Sequence, residues 1–393
     1  MEPVTDDSSR IEDIEPQATV TGTSKPLYRF FRGEPGSIGI VMLSLGTSQF
    51  LIGIPMKIDL LENSSQSYTQ FWLGILFIAT GILYILSAKS PSKKLVTASM
   101  AVSIVSIIAT VLSFFEYLMS MWKMLRIDIY YPDYDIIYYN LTNEGDPWSA
   151  YHAEQLAAVE GVLLFYCFVG AVLLIVITAF ARAGLRSVKT QSRMESVPYA
   201  RSGTEDGEPR TTVIGLNKPL HRFIRGDPRS TGIVMLFLGG SQFLLGIPMK
   251  LDVLESAATY YTGFWLGIMF ISSGILYILS DENTSKKLVT ASLAVSIISI
   301  IGAFVAFVFF FVTSLRIHSF YSPYRFPIKS NMTDEDYAWK SNHTDQILCL
   351  QVLFLIYCVV GMVILIVMSA FSRAGLRSSR TQAIVVMHNR PTQ

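Results

Sequence analysis

The chain has 393 residues, of which 51% are hydrophobic and 16% charged, and its formal net charge is +1. Soluble domains carry about a quarter charged residues, so this composition excludes an ordinary soluble domain and favours a membrane protein. The basic residues lie beside apolar runs rather than in the broad basic patches of nucleic-acid-binding proteins, so nucleic acid is not an expected partner.

The N-terminal segment, residues 1–24, is polar and acidic and contains no apolar core. A cleavable signal peptide needs such a core, so the sequence predicts none. We interpret this segment as a disordered tail, and we expect the first apolar run to act as the internal signal for membrane insertion.

Two copies of one module follow, at residues 25–187 and 218–378. An internal repeat changes every later inference, because each copy is expected to form its own structural unit. The repeated motifs are Lys-Pro-Leu (25–27 and 218–220), Phe-Trp-Leu-Gly (71–74 and 264–267) and Lys-Lys-Leu-Val-Thr-Ala-Ser (93–99 and 286–292).

Each copy contains four long apolar runs. A helix needs about 20 mostly apolar residues to cross the hydrocarbon core, and the runs lack the alternating polarity of membrane β-strands. The sequence therefore predicts an all-α integral membrane protein of two tandem four-helix bundles, with eight transmembrane helices. The predicted spans are 38–56, 71–87, 95–118 and 156–180 in the first copy and 231–249, 264–280, 288–312 and 346–371 in the second.

Basic residues predict the orientation of these spans. They cluster before the first span, between the second and third spans, and after the fourth span of each copy. Because such residues concentrate on the cytoplasmic side, both termini and the middle of the chain are expected in the cytosol. Residues 188–217 are then a flexible cytosolic linker between parallel repeats, and residues 379–393 a cytosolic tail.

Four glycosylation sequons fall in the predicted outside loops, at Asn63, Asn140, Asn331 and Asn342. Glycosylation requires an outside location, so their positions support the predicted orientation. A fifth sequon, at Asn283, falls in a predicted inside loop, and we expect it to stay unmodified.

Small residues follow one face of the first two spans in each copy. Glycines recur there at intervals of seven, which keeps them on one side of a helix with slow drift. Membrane helices associate through close packing, so these glycines are predicted to form helix–helix contacts, together with one glutamine per copy for which a pore-lining amide is the alternative role. The predicted packing residues are Gly39, Gly46, Gln49, Gly53, Gly74 and Gly81, and Gly232, Gly239, Gln242, Gly246, Gly267 and Gly274.

Two carboxylates, Glu116 and Glu160, lie inside the third and fourth spans of the first copy. Intramembrane carboxylates are costly, and they are candidates for an ion pathway. Their counterparts are Phe309 and Gln351, so such a site would exist in one copy only. Interfacial or protonated side chains are the other interpretation.

Signatures of enzymes, cofactor sites and metal sites are missing from the sequence. It has no His-Glu-x-x-His, no Gly-x-Ser-x-Gly and no phosphate-binding glycine loop, and the five histidines lie outside the predicted spans. Cys167, Cys349 and Cys358 are interpreted as small buried side chains. We therefore predict a non-enzymatic protein without a cofactor or metal.

The repeated motifs resemble those of the membrane-spanning 4-domain family, subfamily A, which includes the B-lymphocyte tetraspan antigen and the beta chain of the high-affinity IgE receptor. The resemblance rests on Lys-Pro-Leu-x-Arg-Phe-x-Arg-Gly-(Glu/Asp)-Pro, Gly-x-x-Gln-x-x-x-Gly and Phe-Trp-x-Gly-x-x-Phe-Ile-x-x-Gly-x-Leu, each present in both copies. The chain departs from the family pattern in having two modules and in lacking a cysteine pair in the larger outside loop.

This resemblance implies a multi-pass plasma-membrane protein that acts as an adaptor or modulator of cell-surface receptor signalling. Its implied partners are membrane lipid and other membrane proteins of a receptor complex. Some members of the family form dimers, so we interpret the copies as an internal pseudo-dimer packed side by side, or as part of a homo-oligomer. The alternative functions are a cation channel or regulator of calcium entry, and a receptor for lipid or another apolar ligand.

Overall fold

The structure is a computed structural model of the whole chain. It describes residues 28–31, 33–59, 63–90, 92–130, 148–195, 221–224, 226–251, 257–283, 285–321 and 334–388. Regular structure within these ranges is helical throughout. The predicted all-α class is therefore confirmed.

Both modules contain a short entry helix followed by four long helices. A single 3₁₀ turn, Ser64–Ser67, lies between the second and third helices of the first module. The first module comprises α1 Tyr28–Phe31, α2 Pro35–Ile58, α3 Thr69–Lys89, α4 Lys93–Tyr130 and α5 Trp148–Glu195. The second comprises α6 His221–Ile224, α7 Pro228–Leu251, α8 Ala257–Glu282, α9 Lys286–Tyr321 and α10 Asp334–His388.

Eight of the described helices contain a segment long and apolar enough to cross a membrane, as predicted. The fourth helix of each module continues past its apolar segment into a range predicted as linker or tail, to Glu195 in α5 and His388 in α10. The extension of α5 includes Lys, Gln, Arg, Met and Glu, which have good helix propensity, whereas that of α10 is mostly Ser, Thr, Val and Ile. The apolar pattern therefore predicts the membrane segment and not where the helix ends. The spans are Pro35–Ile58, Thr69–Lys89, Lys93–Leu125, His152–Arg186, Pro228–Leu251, Tyr261–Glu282, Lys286–Ser319 and Ser341–Arg377.

A sharp turn separates the entry helix from the first span in each module. Glu34 and Asp227 adopt left-handed backbone conformations there, with φ of 47° and 49°. Pro35 and Pro228 follow as the first helical residues, where a missing N–H leaves no hydrogen bond unmade. The turn folds the entry helix back onto the fourth long helix of its own module, against which Phe30 is fully buried.

Within each module, the first long helix pairs with the second and the third pairs with the fourth, so α2 packs on α3, α4 on α5, α7 on α8 and α9 on α10. A large aromatic ring fills the centre of each bundle. Phe77 of α3 packs against Gly170 of α5, and Phe270 of α8 packs against Gly361 of α10. The bundle closes around these rings because the opposing residue has no side chain.

The two modules pack against each other through their first and fourth long helices. Helix α5 contacts α7, α10 contacts α2, and α2 contacts α7. This exchange of equivalent contacts is the arrangement of a two-fold symmetric dimer. The third long helices, α4 and α9, have their main contacts within their own modules, which leaves them at opposite edges of the molecule.

Candidate functional site

A buried carboxylate lies at the end of the first bundle opposite the described termini, here called the outer end. Glu160 of α5 is fully buried, and its Oε1 accepts hydrogen bonds from the backbone N–H and the hydroxyl of Ser64, at 3.0 and 2.7 Å. The hydroxyl of Ser120 on α4 donates to the same oxygen at 2.9 Å. Burial of a carboxylate is tolerated when donors of this kind replace water. Glu160 therefore fastens the 3₁₀ turn to α4 and α5.

The hydrogen-bond network extends from this carboxylate to neighbouring polar side chains. Gln70 donates to the Ser64 hydroxyl at 2.5 Å. Glu116 lies nearby on α4, where it is partly exposed and accepts a hydrogen bond from Thr69 at 2.5 Å. The structure thus places both predicted ion-pathway residues at the outer end of the same bundle, each held by hydroxyl donors.

No group of three His, Cys, Asp or Glu side chains in the described ranges is arranged to hold a metal ion. The atoms that contact Glu160 are hydroxyl and amide donors, which stabilise a fixed carboxylate. This arrangement can hold the outer end of a bundle together. The ion-pathway role of Glu116 and Glu160 remains a prediction.

The equivalent region of the second module has a different chemistry. Gln351 replaces Glu160, and its amide oxygen accepts a hydrogen bond from the Ser314 hydroxyl at 2.8 Å. Phe309 replaces Glu116 and is exposed on the membrane-facing surface. The two modules therefore share one fold, while the buried carboxylate belongs to the first alone.

The predicted packing glutamines lie at the centres of their bundles, and both are fully buried. Gln49 donates to the Tyr117 hydroxyl at 2.9 Å and lies 4.0 Å from the sulfur of Cys167. These contacts join α2 to α4 and α5. In the second module, Gln242 Nε2 lies 3.7 Å from the sulfur of Cys358, and Phe310 stands where the first module has Tyr117.

The predicted glycines bring the first and second long helices into backbone contact. A Cβ atom added to Gly46 would lie 2.6 Å from the carbonyl oxygen of Gly74, and one on Gly239 would lie 2.6 Å from that of Gly267. Both distances are shorter than the contacts that Cβ atoms make in proteins, so only glycine fits at Gly46 and Gly239. The other two pairs, Gly39 with Gly81 and Gly232 with Gly274, meet in the same way, while Gly53 and Gly246 lie against the rings of Phe71 and Phe264.

The second and third long helices are joined by a ladder of hydroxyl groups that the sequence does not predict. The Tyr84 hydroxyl lies 2.6 Å from that of Ser103, and the Tyr277 hydroxyl lies 2.5 Å from that of Ser296. A second rung in each module pairs Thr80 with Ser106, at 3.0 Å, and Ser273 with Ser299, at 2.9 Å. The signal that could have predicted it is a buried tyrosine at the same place in both copies.

Equivalent residues meet across the boundary between the modules. Tyr357 of α10 donates a hydrogen bond to the hydroxyl of Ser48 on α2, at 2.7 Å. The counterpart of Tyr357 is Tyr166, whose ring lies 5.9 Å from that of Phe237 in the other module. These contacts form in the middle of the spans, where a hydroxyl has few other partners.

Both ends of this boundary carry polar contacts. At the outer end, the rings of His152 and His343 cross at 4.5 Å between centroids, and His152 Nε2 lies 2.9 Å from the carboxylate of Asp59. At the end nearest the described termini, Arg229 forms a salt bridge with Glu34 of the other module. The boundary is therefore joined along the full length of the spans.

The sequons fall in different environments. Asn63 is buried, and its amide donates to the Met56 carbonyl and accepts from the Ser65 N–H, both at 2.8 Å. Because a glycan would replace a hydrogen of that amide, this geometry counts against modification of Asn63. Asn342 lies partly exposed within α10, and Asn140 and Asn331 lie outside the described residues.

These features define a multi-pass membrane protein built from two glycine-packed bundles of four spans. The model of the CD20-like family matches residues 37–185 and 230–376, one match for each module. The chain belongs to the CD20-like family, as the resemblance predicted, and the two matches agree with a tandem duplication.

Two curated relatives show similarity over shorter stretches. The mouse protein named membrane-spanning 4-domains subfamily A member 4D is 29% identical over 112 residues, which cover 28% of this chain and 49% of the relative. The human member 15 of the same subfamily is 28% identical over 100 residues, covering 24% of this chain and 42% of the relative. The chain thus spans about half the length of the relatives it matches, and no solved structure matches it.

Proposed function

We propose that this protein is a non-enzymatic adaptor of the plasma membrane that modulates signalling by a cell-surface receptor complex. One observation carries the proposal: buried polar side chains such as Gln49, Tyr84 and Glu160 form hydrogen bonds with neighbouring spans, while the lipid-facing surface of the bundles is broad and apolar. An arrangement of this kind supports contacts with other membrane helices more readily than chemistry on a bound substrate.

The third long helices provide the widest surfaces for such contacts. Helix α4 exposes Ile108, Leu112 and Phe115, each by about 60% of its surface, and α9 exposes Ile301 and Phe304 to a similar degree. The two helices occupy opposite edges of the molecule, so a partner helix can pack on either edge without disturbing the boundary between modules. Helices associate in lipid through close packing of this type.

Affinity capture from native membranes in mild detergent tests the proposal. We expect receptor subunits to co-purify with the intact protein and to be lost when Leu112 and Phe115 are both replaced by Ala, with Ile301→Ala/Phe304→Ala as the matched change at the other edge. If receptor subunits co-purify equally well with both double variants, the exposed faces of α4 and α9 are not the docking surfaces. Absence of any membrane protein from the captured material contradicts the adaptor function.

The channel alternative rests on the intramembrane carboxylates and has its own test. Purified protein in liposomes carries no cation current if it is an adaptor alone. A current that Glu160→Gln abolishes would replace the adaptor proposal with the channel hypothesis, whereas a current unchanged in a Glu116→Gln/Glu160→Gln variant would exclude these two residues from conduction.

The proposed location also implies an orientation, with both termini and the linker in the cytosol. Epitope tags at either terminus, or within residues 196–217, should stay hidden from antibody on intact cells and become accessible after permeabilisation. A tag within residues 131–147 is the control and should be accessible on intact cells. Antibody binding to a terminal tag on intact cells contradicts the orientation.

A further inference from the structure

A cleft of about 570 Å³ opens between α9 and α10, near the end of the spans that carries the described termini. Its lining includes Ile297, Ile300, Ile366, Ser369, Arg373 and Arg377. The arginines come from the last turns of the α10 span, and the isoleucines lie deeper in the membrane. The cleft thus combines two cations with an apolar floor.

Polarity along the cleft changes in a regular order. Arg377, Arg373 and Ser369 are spaced four residues apart on α10, so they lie on one helix face at intervals of about 6 Å. Ile366 continues this face into the membrane. The order from the membrane surface inward is therefore two guanidinium groups, one hydroxyl and then aliphatic side chains.

Two of these polar groups have unmet bonding capacity. The Ser369 hydroxyl is shielded from solvent and has no hydrogen-bond partner in the described part of the chain. Arg373 forms no ion pair or hydrogen bond with another described residue. A guanidinium binds phosphate through two parallel hydrogen bonds, and a shielded hydroxyl can donate to an ester carbonyl.

We propose that this cleft binds one anionic glycerophospholipid. Its phosphate contacts Arg373 and Arg377, a glycerol ester lies at Ser369, and an acyl chain lies along Ile297, Ile300 and Ile366. Basic pockets between transmembrane helices bind anionic head groups in this manner. The lipid comes from the leaflet that faces the termini, which is the inner leaflet in the predicted orientation.

The first module carries the same chemistry at the equivalent positions, between the equivalent helices α4 and α5. Two isoleucines of α4 and one of α5 correspond to the apolar floor, a threonine corresponds to Ser369, and two arginines correspond to the phosphate contacts. The proposal therefore includes two lipid sites per chain. The equivalent residues are Ile104, Ile107, Ile175, Thr178, Arg182 and Arg186.

Photoreactive lipids test the proposal on the full chain in phosphatidylcholine nanodiscs. The probes are phosphatidylserine and phosphatidylcholine, each with a diazirine on one acyl chain, and mass spectrometry locates the labelled peptides. We expect phosphatidylserine to label α9 and α10 near Ile297 and Ile366 at least about fivefold more than phosphatidylcholine does. Equal labelling by the two lipids, or phosphatidylserine labelling only elsewhere, overturns the proposal.

Reciprocal variants separate a site from general attraction to positive charge. Arg373→Gln/Arg377→Gln should reduce labelling of α9 and α10 and leave α4 and α5 unchanged, whereas Arg182→Gln/Arg186→Gln should do the reverse. If either variant lowers labelling of both modules equally, the arginines act only as surface charge and the proposal fails. The four arginines are exposed, and elution volume on size exclusion verifies folding.

Competition distinguishes a lipid from a soluble phosphate. An excess of glycerophosphoserine, which has the head group and no acyl chains, should leave the labelling unchanged. Loss of labelling would mean that the arginines bind a free phosphate, which overturns the lipid assignment. The result does not depend on receptor capture, so this proposal and the adaptor function can fail separately.

Discussion

Glu160 shows how one residue organises the outer end of a bundle. Its carboxylate accepts hydrogen bonds from Ser64 in the turn after α2 and from Ser120 on α4. A charged acceptor strengthens such bonds relative to a neutral one. In the second module, the amide of Gln351 accepts from Ser314 instead, so a neutral acceptor takes the place of the carboxylate.

Replacement of Glu160 by Gln should destabilise the protein by about 2 kcal/mol, because an amide hydrogen donor would then face donors that need an acceptor. Thermal unfolding of the purified protein in mild detergent measures the change as a lower midpoint temperature. Glu154→Gln on the same helix is the control, since Glu154 is exposed. Equal midpoints for Glu160→Gln and the unaltered protein would contradict this account.

At the scale of the helix, glycines determine how closely two spans approach. Carbonyl oxygens of α7 and α8 occupy the space where side chains of Gly239 and Gly267 would otherwise lie. Burial of apolar surface contributes little free energy when the solvent is lipid, so van der Waals packing at close approach stabilises the helix pair. The first module repeats this contact with the same spacing, which indicates that the pair of spans is the basic unit of the fold.

Adjacent glycines of α7 allow a direct test of this packing. Gly239→Ala should destabilise the protein by about 1–3 kcal/mol, as overpacking does elsewhere, because its methyl group would collide with the Gly267 carbonyl. A methyl group on Gly240 meets open space, so Gly240→Ala should be neutral or slightly stabilising. Fluorescence-detected size exclusion after heating compares the two variants, and equal losses of folded protein would refute the packing explanation.

At the scale of the whole molecule, the two modules form a symmetric pair through α2, α5, α7 and α10. Tyr357 donates to Ser48 across the boundary, and the rings of His152 and His343 meet at its outer end. The contacts run along the spans rather than through the linker. The association should therefore be a property of the spans themselves.

Cleavage of the linker should leave the modules together. With a protease site inserted within residues 196–217, the two halves should still co-elute in mild detergent after cutting. Tyr166→Ala/Tyr357→Ala removes the mid-membrane contacts and should lower recovery of the second half by about threefold or more, since buried aromatic contacts dominate such interfaces. Separation of the halves without any substitution would show that the linker alone holds them together.

The sequence predicts the spans because long apolar runs are local, and it predicts the duplication because the same motifs occur twice. Glycines at intervals of seven identify a face that must meet another helix, whatever the rest of the chain does. Gly46 and Gly239 occupy equivalent positions with similar neighbouring residues, so the repeat predicts the same helix contact in both modules.

The sequence does not predict which distant residues meet the polar side chains. One partner of Glu160 is Ser64, in a short turn whose path depends on where α2 ends and α3 begins. The contact between His152 and His343 depends on the rotation of one bundle against the other, which no local pattern encodes. Nothing in the sequence around Tyr84 distinguishes it from the apolar residues of α3, and its hydrogen bond to Ser103 depends on how α4 packs against α3.

The connection of both modules by one polypeptide has a consequence for assembly. A pair formed from separate chains comes apart at low surface density, whereas a tether keeps the halves at high effective concentration at any level of expression. Separate chains from one gene also give identical halves. Here α4 carries Glu116 where α9 carries Phe309, so a single molecule can offer two unlike edges to its neighbours.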